Sequence, residues 1–384
     1  MKTGALSAFL IFMDNFWNGI YGQESVKQLL SGLINSSKIP HAFLFTGLEG
    51  VGKEFFALRF TQALNSRLTD KSKASIIINS ISNFSEPYIK YIFPLPRGKN
   101  ETEGNTPTEK LTQDEILFIQ EEIRHKTNNP YYKISIPKAT NIKVNSIRDI
   151  KKFLSLDYSD ILYRTILISD AHLMNEESQN ALLKALEEPP EGVIFILTTP
   201  YPSILRETIR SRCWNINFQP LSNDDIKNIL INYFEIDKIL AARISPFASG
   251  SILNALRLIE HDFELLLEKT ISILRYSFGR KYSSALDQFS EFISENNADS
   301  VKLIVQMIII WLNDFQKYRL GIKEFYFSDH METVEKFTQR FPDIELNNIV
   351  YKLERLASVF QNNVNINLIV LNIIFELSAL TSSL

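Results

Sequence analysis

Two short stretches hold residues able to act on a phosphate. In GLEGVGKE, residues 47–54, Gly47, Gly50 and Gly52 lead into Lys53. Glycines at that spacing let backbone N–H groups converge on phosphate, and the lysine adds a point charge. The next residue of such a loop is Ser or Thr, whose hydroxyl holds the Mg²⁺ that accompanies ATP. Here it is Glu54. A carboxylate beside polyphosphate repels it unless a metal lies between them. Glu54 therefore either ligates Mg²⁺ itself, leaving weak ATP or ADP binding, or removes binding altogether.

In the second stretch, ILISDAH, Ser169 and Asp170 stand where a phosphate-loop enzyme carries its metal-holding Asp and its water-activating Glu. Serine has no charge for the metal shell, and aspartate is a methylene short of the water. The plainer reading of Asp170 is a strand-end residue bonding nearby backbone. Thr198 and Thr199, in TTP, end another apolar run and could hydrogen-bond a terminal phosphate. Arg212, in TIRSRCW, precedes a last short strand at the edge of this region. An arginine there either forms a surface ion pair or reaches a neighbouring subunit's γ-phosphate.

The elements that must position these groups are legible from periodicity. Val26, Leu29, Leu30 and Leu33 fall at helical spacing, and HAFLFTG reads as a buried strand entering the glycine loop. KEFFALRFTQALN returns to helix, with Phe56, Phe60 and Leu64 on one face. Residues 66 to about 141 are less regular. FPLPRGKNETEGNTPTEK reads as an exposed excursion, and Thr112 with Glu115 begins a helix as a capping pair. IKVNSIRDIKKFLSL is an amphipathic helix with Asn145 or Ser146 near its cap. YRTILISDA and GVIFILTT are buried strands, and NEESQNALLKALEEPP is a helix stopped by Pro189. Strands alternating with helices predict an open, mostly parallel α/β sheet covered on both faces. From Asn223 the pattern is helical to the end.

The 384 residues, 45% hydrophobic and 22% charged, suit a globular chain of two or three domains. Net charge is −3, so no global basic field draws the chain to nucleic acid, and DNA contact is expected only locally or within a complex. One cysteine, Cys213, excludes an internal disulfide and a cysteine-rich zinc cluster, and no metal site is predicted. Met13 reads as the natural start, with residues 1–12 an upstream extension. LIVLNIIFELSAL carries Asn372 and Glu376 at helical spacing and reads as a buried interface helix rather than a membrane segment.

Taken together, HAFLFTGLEGVGKE, NEESQNALLKALEEPP and TIRSRC resemble the bacterial DNA polymerase III clamp-loader family of the AAA+ class. The resemblance covers residues 16–258, and YGQESVKQLLSGLINSSKIPHAF is similar to the opening of its delta-prime branch. It implies a P-loop-type AAA+ domain over 13–219 with an insertion at about 85–130, a helical lid over 220–268 and a helical collar over 269–384. It also implies that Arg212 acts in trans on a neighbour's ATP. Gly47, Gly50, Gly52, Lys53, Glu54, Asp170 and Thr199 then form a degenerate nucleotide site, with Mg²⁺–ATP or ADP bound weakly or not at all. The departures at Glu54, Ser169, Asp170 and Leu253, the last at a second-sensor arginine position, fit a delta-prime-like subunit. The four-cysteine zinc module of many such subunits has no counterpart, so no zinc is expected.

The implied role is a weakly hydrolysing or inert, cytoplasmic component of the DNA polymerase III holoenzyme, a nucleotidyltransferase complex, without polymerase activity of its own. Implied partners are gamma/tau-like and delta-like subunits through the collar and the Arg212 face. The sliding clamp and primed DNA are met through the complex, and no membrane is involved. The alternative is an active AAA+ motor, gamma-like or a helicase loader.

Overall fold

The computed structural model describes residues 16–36, 38–155, 161–294, 298–342, 344–359 and 365–381. The extension 1–12 and the start at Met13 lie outside them. The chain divides into two units. One runs to Ile236 and takes in Gly250–Ile252; the other comprises Asp237–Ser249 and Leu253–Leu384.

The first unit is built on five strands: β1 (Ala42–Thr46), β2 (Ile89–Ile92), β3 (Arg164–Ile168), β4 (Val193–Thr199) and β5 (Trp214–Asn217). They lie in the order β2-β3-β4-β1-β5, every pair parallel. Residues of β1, β3 and β4 are buried throughout, which is why each reads as an unbroken apolar run. Helices α1 (Glu24–Asn35), α2 (Lys53–Asn65), α3 (Lys71–Ser82), α4 (Gln113–Asn128), α5 (Val144–Ser155), α6 (Glu176–Glu187), α7 (Glu207–Arg210) and α8 (Asn223–Phe234) complete the unit. Thr46 pairs with Thr199 and Ile168 with Leu197, so the glycine loop, Ser169 and Thr199 share the carboxyl edge of the sheet. That edge is where open α/β sheets bind ligands.

The ends of α4 and α6 follow local chemistry. Thr112 and Glu115 form a reciprocal capping box on α4. Asn175 caps α6, and Glu188, before Pro189, leaves helical geometry. Asn145 and Ser146 fall in the first turn of α5, near its cap as expected. Asn145 Oδ1 and Ser146 Oγ are buried without a hydrogen-bond partner, so neither oxygen caps the helix. Asn145 instead donates to Glu101 and to the Thr102 carbonyl.

The 85–130 stretch, expected as a polar insertion, contains β2, an integral strand at the sheet's edge. Only Ile89 and Ile92 of β2 are buried, so no long apolar run marks it in the sequence. Helix α3, capped by Asp70, also lies in the stretch read as irregular.

The second unit is helical: α9 (Lys238–Ile244), the body of α10 (Ile252–Glu260), α11 (Phe263–Phe278), α12 (Tyr282–Ser294), α13 (Ala298–Arg319), α14 (Met331–Arg340), α15 (Asn347–Val359) and α16 (Ile366–Ala379). Phe278, Trp311, Phe315 and Phe337 pack as an aromatic cluster joining α11, α13 and α14. Helix α8 groups with the first unit, and α11 runs unbroken across position 268/269. The apolar α16 has 14 residues with Ile369, Val370, Ile373, Ile374 and Leu377 buried. Among the described residues no single helix is long and apolar enough to cross a membrane.

Candidate functional site

The glycine loop leaves β1 in conformations that side chains resist. Gly47 has φ +134°, and a Cβ there would meet the Phe218 carbonyl oxygen at 2.4 Å. Gly50 has φ +72°, and Gly52, at φ +90°, lies against Tyr131, whose Cε1 would be 3.2 Å from an added Cβ. Lys53 opens α2, is buried, and turns its ammonium back to donate to the Gly47 carbonyl at 2.8 Å and to the Leu48 carbonyl. Burial, helped by nearby Lys133, pushes its pKa down to about 8 against the pull of Asp170, Glu49 and Glu54.

Glu54, one residue on, is fully engaged. One carboxylate oxygen accepts from Ser169 Oγ. The other accepts from the Tyr91 hydroxyl at 3.1 Å and forms an ion pair with Lys126 Nζ at 2.5 Å. Burial alone would raise the Glu54 pKa; the charges of Lys126 and Lys133 and the Lys126 and Ser169 hydrogen bonds overcome it and hold the pKa near 2. The site thus keeps a carboxylate ionised by placing an ammonium on it.

Asp170 is treated the same way. It lies two residues beyond β3, with φ +51°, and makes no side-chain capping bond to the turn that follows, contrary to the strand-end reading. Its carboxylate accepts from Lys133 Nζ at 2.5 Å. Burial works against the charge on Lys133, but Asp170, Glu49 and Glu54 raise its pKa above the ordinary value. Thr199 is buried; its hydroxyl meets His172 Nδ1 at 3.2 Å and accepts from the Tyr201 amide at 3.0 Å.

Arg212 lies outside this cluster, between α7 and β5. Its guanidinium donates to the Thr208 carbonyl and to Glu187 on α6, both at 2.9 Å, and its side chain is 36% exposed. Here it forms the surface pair that was the plainer reading of its type. Leu253 belongs to the second unit.

Four residues of this cluster escaped the sequence: Tyr91 on β2, Lys126 at the end of α4, and Tyr131 and Lys133 beyond it. The one available signal was a lysine-bearing segment, KTNNPYYK, straddling the end of a well-capped helix. The residues as arranged do not fit a magnesium–nucleotide. Glu54, at the metal-holding position, and Asp170, at the water-activating position, are each already bonded to a lysine, and a lysine ammonium competes with Mg²⁺ for the same carboxylate. Among the described residues, no group of three or more His, Cys, Asp or Glu comes together as a metal cluster would.

The family described as DNA polymerase III, delta subunit, matches residues 22–222, more than half of the chain. The chain belongs to that family. A second description, DNA polymerase III, delta subunit, C terminal, matches residues 277–379. Among relatives, DNA polymerase III subunit gamma of Buchnera aphidicola subsp. Schizaphis graminum is 27% identical over 91% of this chain and 85% of its own length. Subunit tau of Bacillus subtilis is 25% identical over 81% of this chain but only 52% of its own. A gamma subunit-related protein of Thermotoga maritima covers 93% of this chain and 100% of its own, at 16% identity and a TM-score of 0.41. Membership of this family agrees with the clamp-loader resemblance carried by the motifs.

Proposed function

We propose that the chain is a delta-prime-like clamp-loader subunit that hydrolyses little or no ATP itself and supplies Arg212 to the ATP site of an adjoining ATPase subunit. The observation that carries this reading is the occupation of Glu54 and Asp170 by Lys126 and Lys133, which leaves neither carboxylate open to hold a metal or activate water. Ser169, bonded to Glu54, adds no acid. Arg212 supports the outward half of the reading. Its pair with Glu187 is half exposed, and such pairs contribute only about 0–1 kcal/mol, so the guanidinium is released at little cost. An arginine stabilising a partner's transition state accelerates the reaction ~10³- to 10⁵-fold. The helical second unit would provide the collar that joins gamma/tau-like and delta-like subunits, with clamp and primed DNA engaged by the whole complex.

A second reading, an active gamma-like motor, draws on Lys53 and on relatives named gamma and tau. ATP turnover separates the two. The purified chain alone should hydrolyse no ATP above background, yet raise turnover when mixed with its ATPase neighbour. Brisk magnesium-dependent turnover by the chain alone would sink the first reading in favour of the second.

A further inference from the structure

We infer that the segment Lys126–Lys133 is a built-in ligand for the degenerate loop, two lysine ammonium groups and one tyrosine ring taking the places of cation and base, so that the chain's own pocket is closed to nucleotide. The inference rests on the proposed function but goes past it, from a site that fails to hydrolyse to one that is already filled.

The chemistry of the match is specific. Glu54 occupies the position of the metal-holding hydroxyl, and Lys126 Nζ sits on it at 2.5 Å. Asp170 occupies the position of the second acidic motif, and Lys133 Nζ sits on it at 2.5 Å. A magnesium held at the first position and a water activated at the second would each meet a carboxylate already paired with a lysine ammonium. Tyr131 lies between the two lysines in the chain. It is buried, covers Gly52, and packs edge-on against Phe55 of α2 and Tyr233 of α8, with centroids 5.5 and 5.0 Å away. Its hydroxyl accepts from the Tyr21 amide at 3.1 Å. The ring thus fills the space over the end of the phosphate loop, with its polar atom already bonded to a backbone N–H.

The segment is also held in shape independently of the site. Lys126 donates to the carbonyls of Pro130 and Tyr132 at 2.9 and 2.6 Å. Asn129 donates to the Tyr233 carbonyl at 2.7 Å and accepts from the Tyr131 amide at 3.0 Å. Buried Glu122 accepts from the Tyr132 hydroxyl at 2.7 Å and the Ser135 amide at 2.8 Å. Displacing Tyr131 would therefore break a connected network, and drawing Lys126 away with it would strip Glu54 of its paired charge.

The test is titration of the full-length chain with Mg²⁺–ATP by calorimetry, with hydrogen exchange over residues 126–133 read in parallel. The wild type should give no binding heat up to about 1 mM nucleotide and no change in exchange. The triple variant Glu54→Thr/Lys126→Met/Tyr131→Ala should bind at least about tenfold more tightly. Binding by the wild type below about 100 μM, or loss of protection at 126–133 on adding Mg²⁺–ATP, overturns the inference. So does a triple variant that melts cooperatively but binds no better than wild type. The exchange measurement stands even if the triple variant fails to fold. None of these results bears on Arg212, whose role is read from the neighbour's turnover.

Discussion

At the scale of single residues, the exchange of a hydroxyl for Glu54 makes sense only with Lys126 opposite it. Taking either partner away leaves a charge in a buried site, which typically costs about 3–5 kcal/mol. Lys126→Ala should therefore lower unfolding free energy in urea by that amount. The paired change Glu54→Thr/Lys126→Met removes both charges and should lower it much less. The same pair predicts an acid dependence. Glu54 has its pKa lowered from 4.5 to about 2 in the folded chain, so its contribution is complete above about pH 4.5. It is lost as pH falls from there toward 2, because the unfolded carboxylate takes up the proton first. Denaturation midpoints measured across that window should fall less steeply for the paired variant than for wild type. An identical slope would show that Glu54 is not held by Lys126.

At the scale of elements, α4 matters because it delivers Lys126. Its N-terminus is fastened by the Thr112–Glu115 capping box, and its C-terminus by Glu122, Tyr132 and Ser135. Thr112→Ala should cost about 1 kcal/mol and speed hydrogen exchange in the first turn of α4. Exchange at Lys126–Lys133 should stay slow, since that end is held by other bonds. The legibility of each element follows from the kind of signal it carries. β1, β3 and β4 are buried on both faces and so read as continuous apolar runs, and α6 is bracketed by Asn175 and Pro189. β2, with only its two end residues buried, resembled the polar sequence around it and was absorbed into an expected insertion. The loop glycines and Ser169, Asp170 and Thr199 were legible as site positions because motif spacing places them on one sheet edge. Lys126, Tyr131 and Lys133 were not, because their bonds to Glu54, Tyr21 and Asp170 join distant parts of the chain. Periodicity reports which face of an element is buried, and it carries no information about which distant side chain meets it.

At the scale of the whole molecule, the first unit joins a cleft filled from within to an arginine held loosely on its surface. On the proposed function the two features are complementary: a subunit without chemistry of its own still gains a role if a charged group on its rim completes a neighbour's site. The energies favour that division. The Arg212–Glu187 pair is worth about 0–1 kcal/mol, whereas a ~10³- to 10⁵-fold acceleration corresponds to about 4–7 kcal/mol of transition-state stabilisation. Arg212→Ala should accordingly leave the isolated chain's stability within about 1 kcal/mol of wild type, as read by chemical denaturation. The decisive measurement is ATP turnover and clamp loading by a reconstituted loader carrying either Arg212→Ala or Lys53→Ala in this subunit. Arg212→Ala should cripple both activities while Lys53→Ala leaves them near wild type; a loader disabled by Lys53→Ala and indifferent to Arg212→Ala would contradict the account.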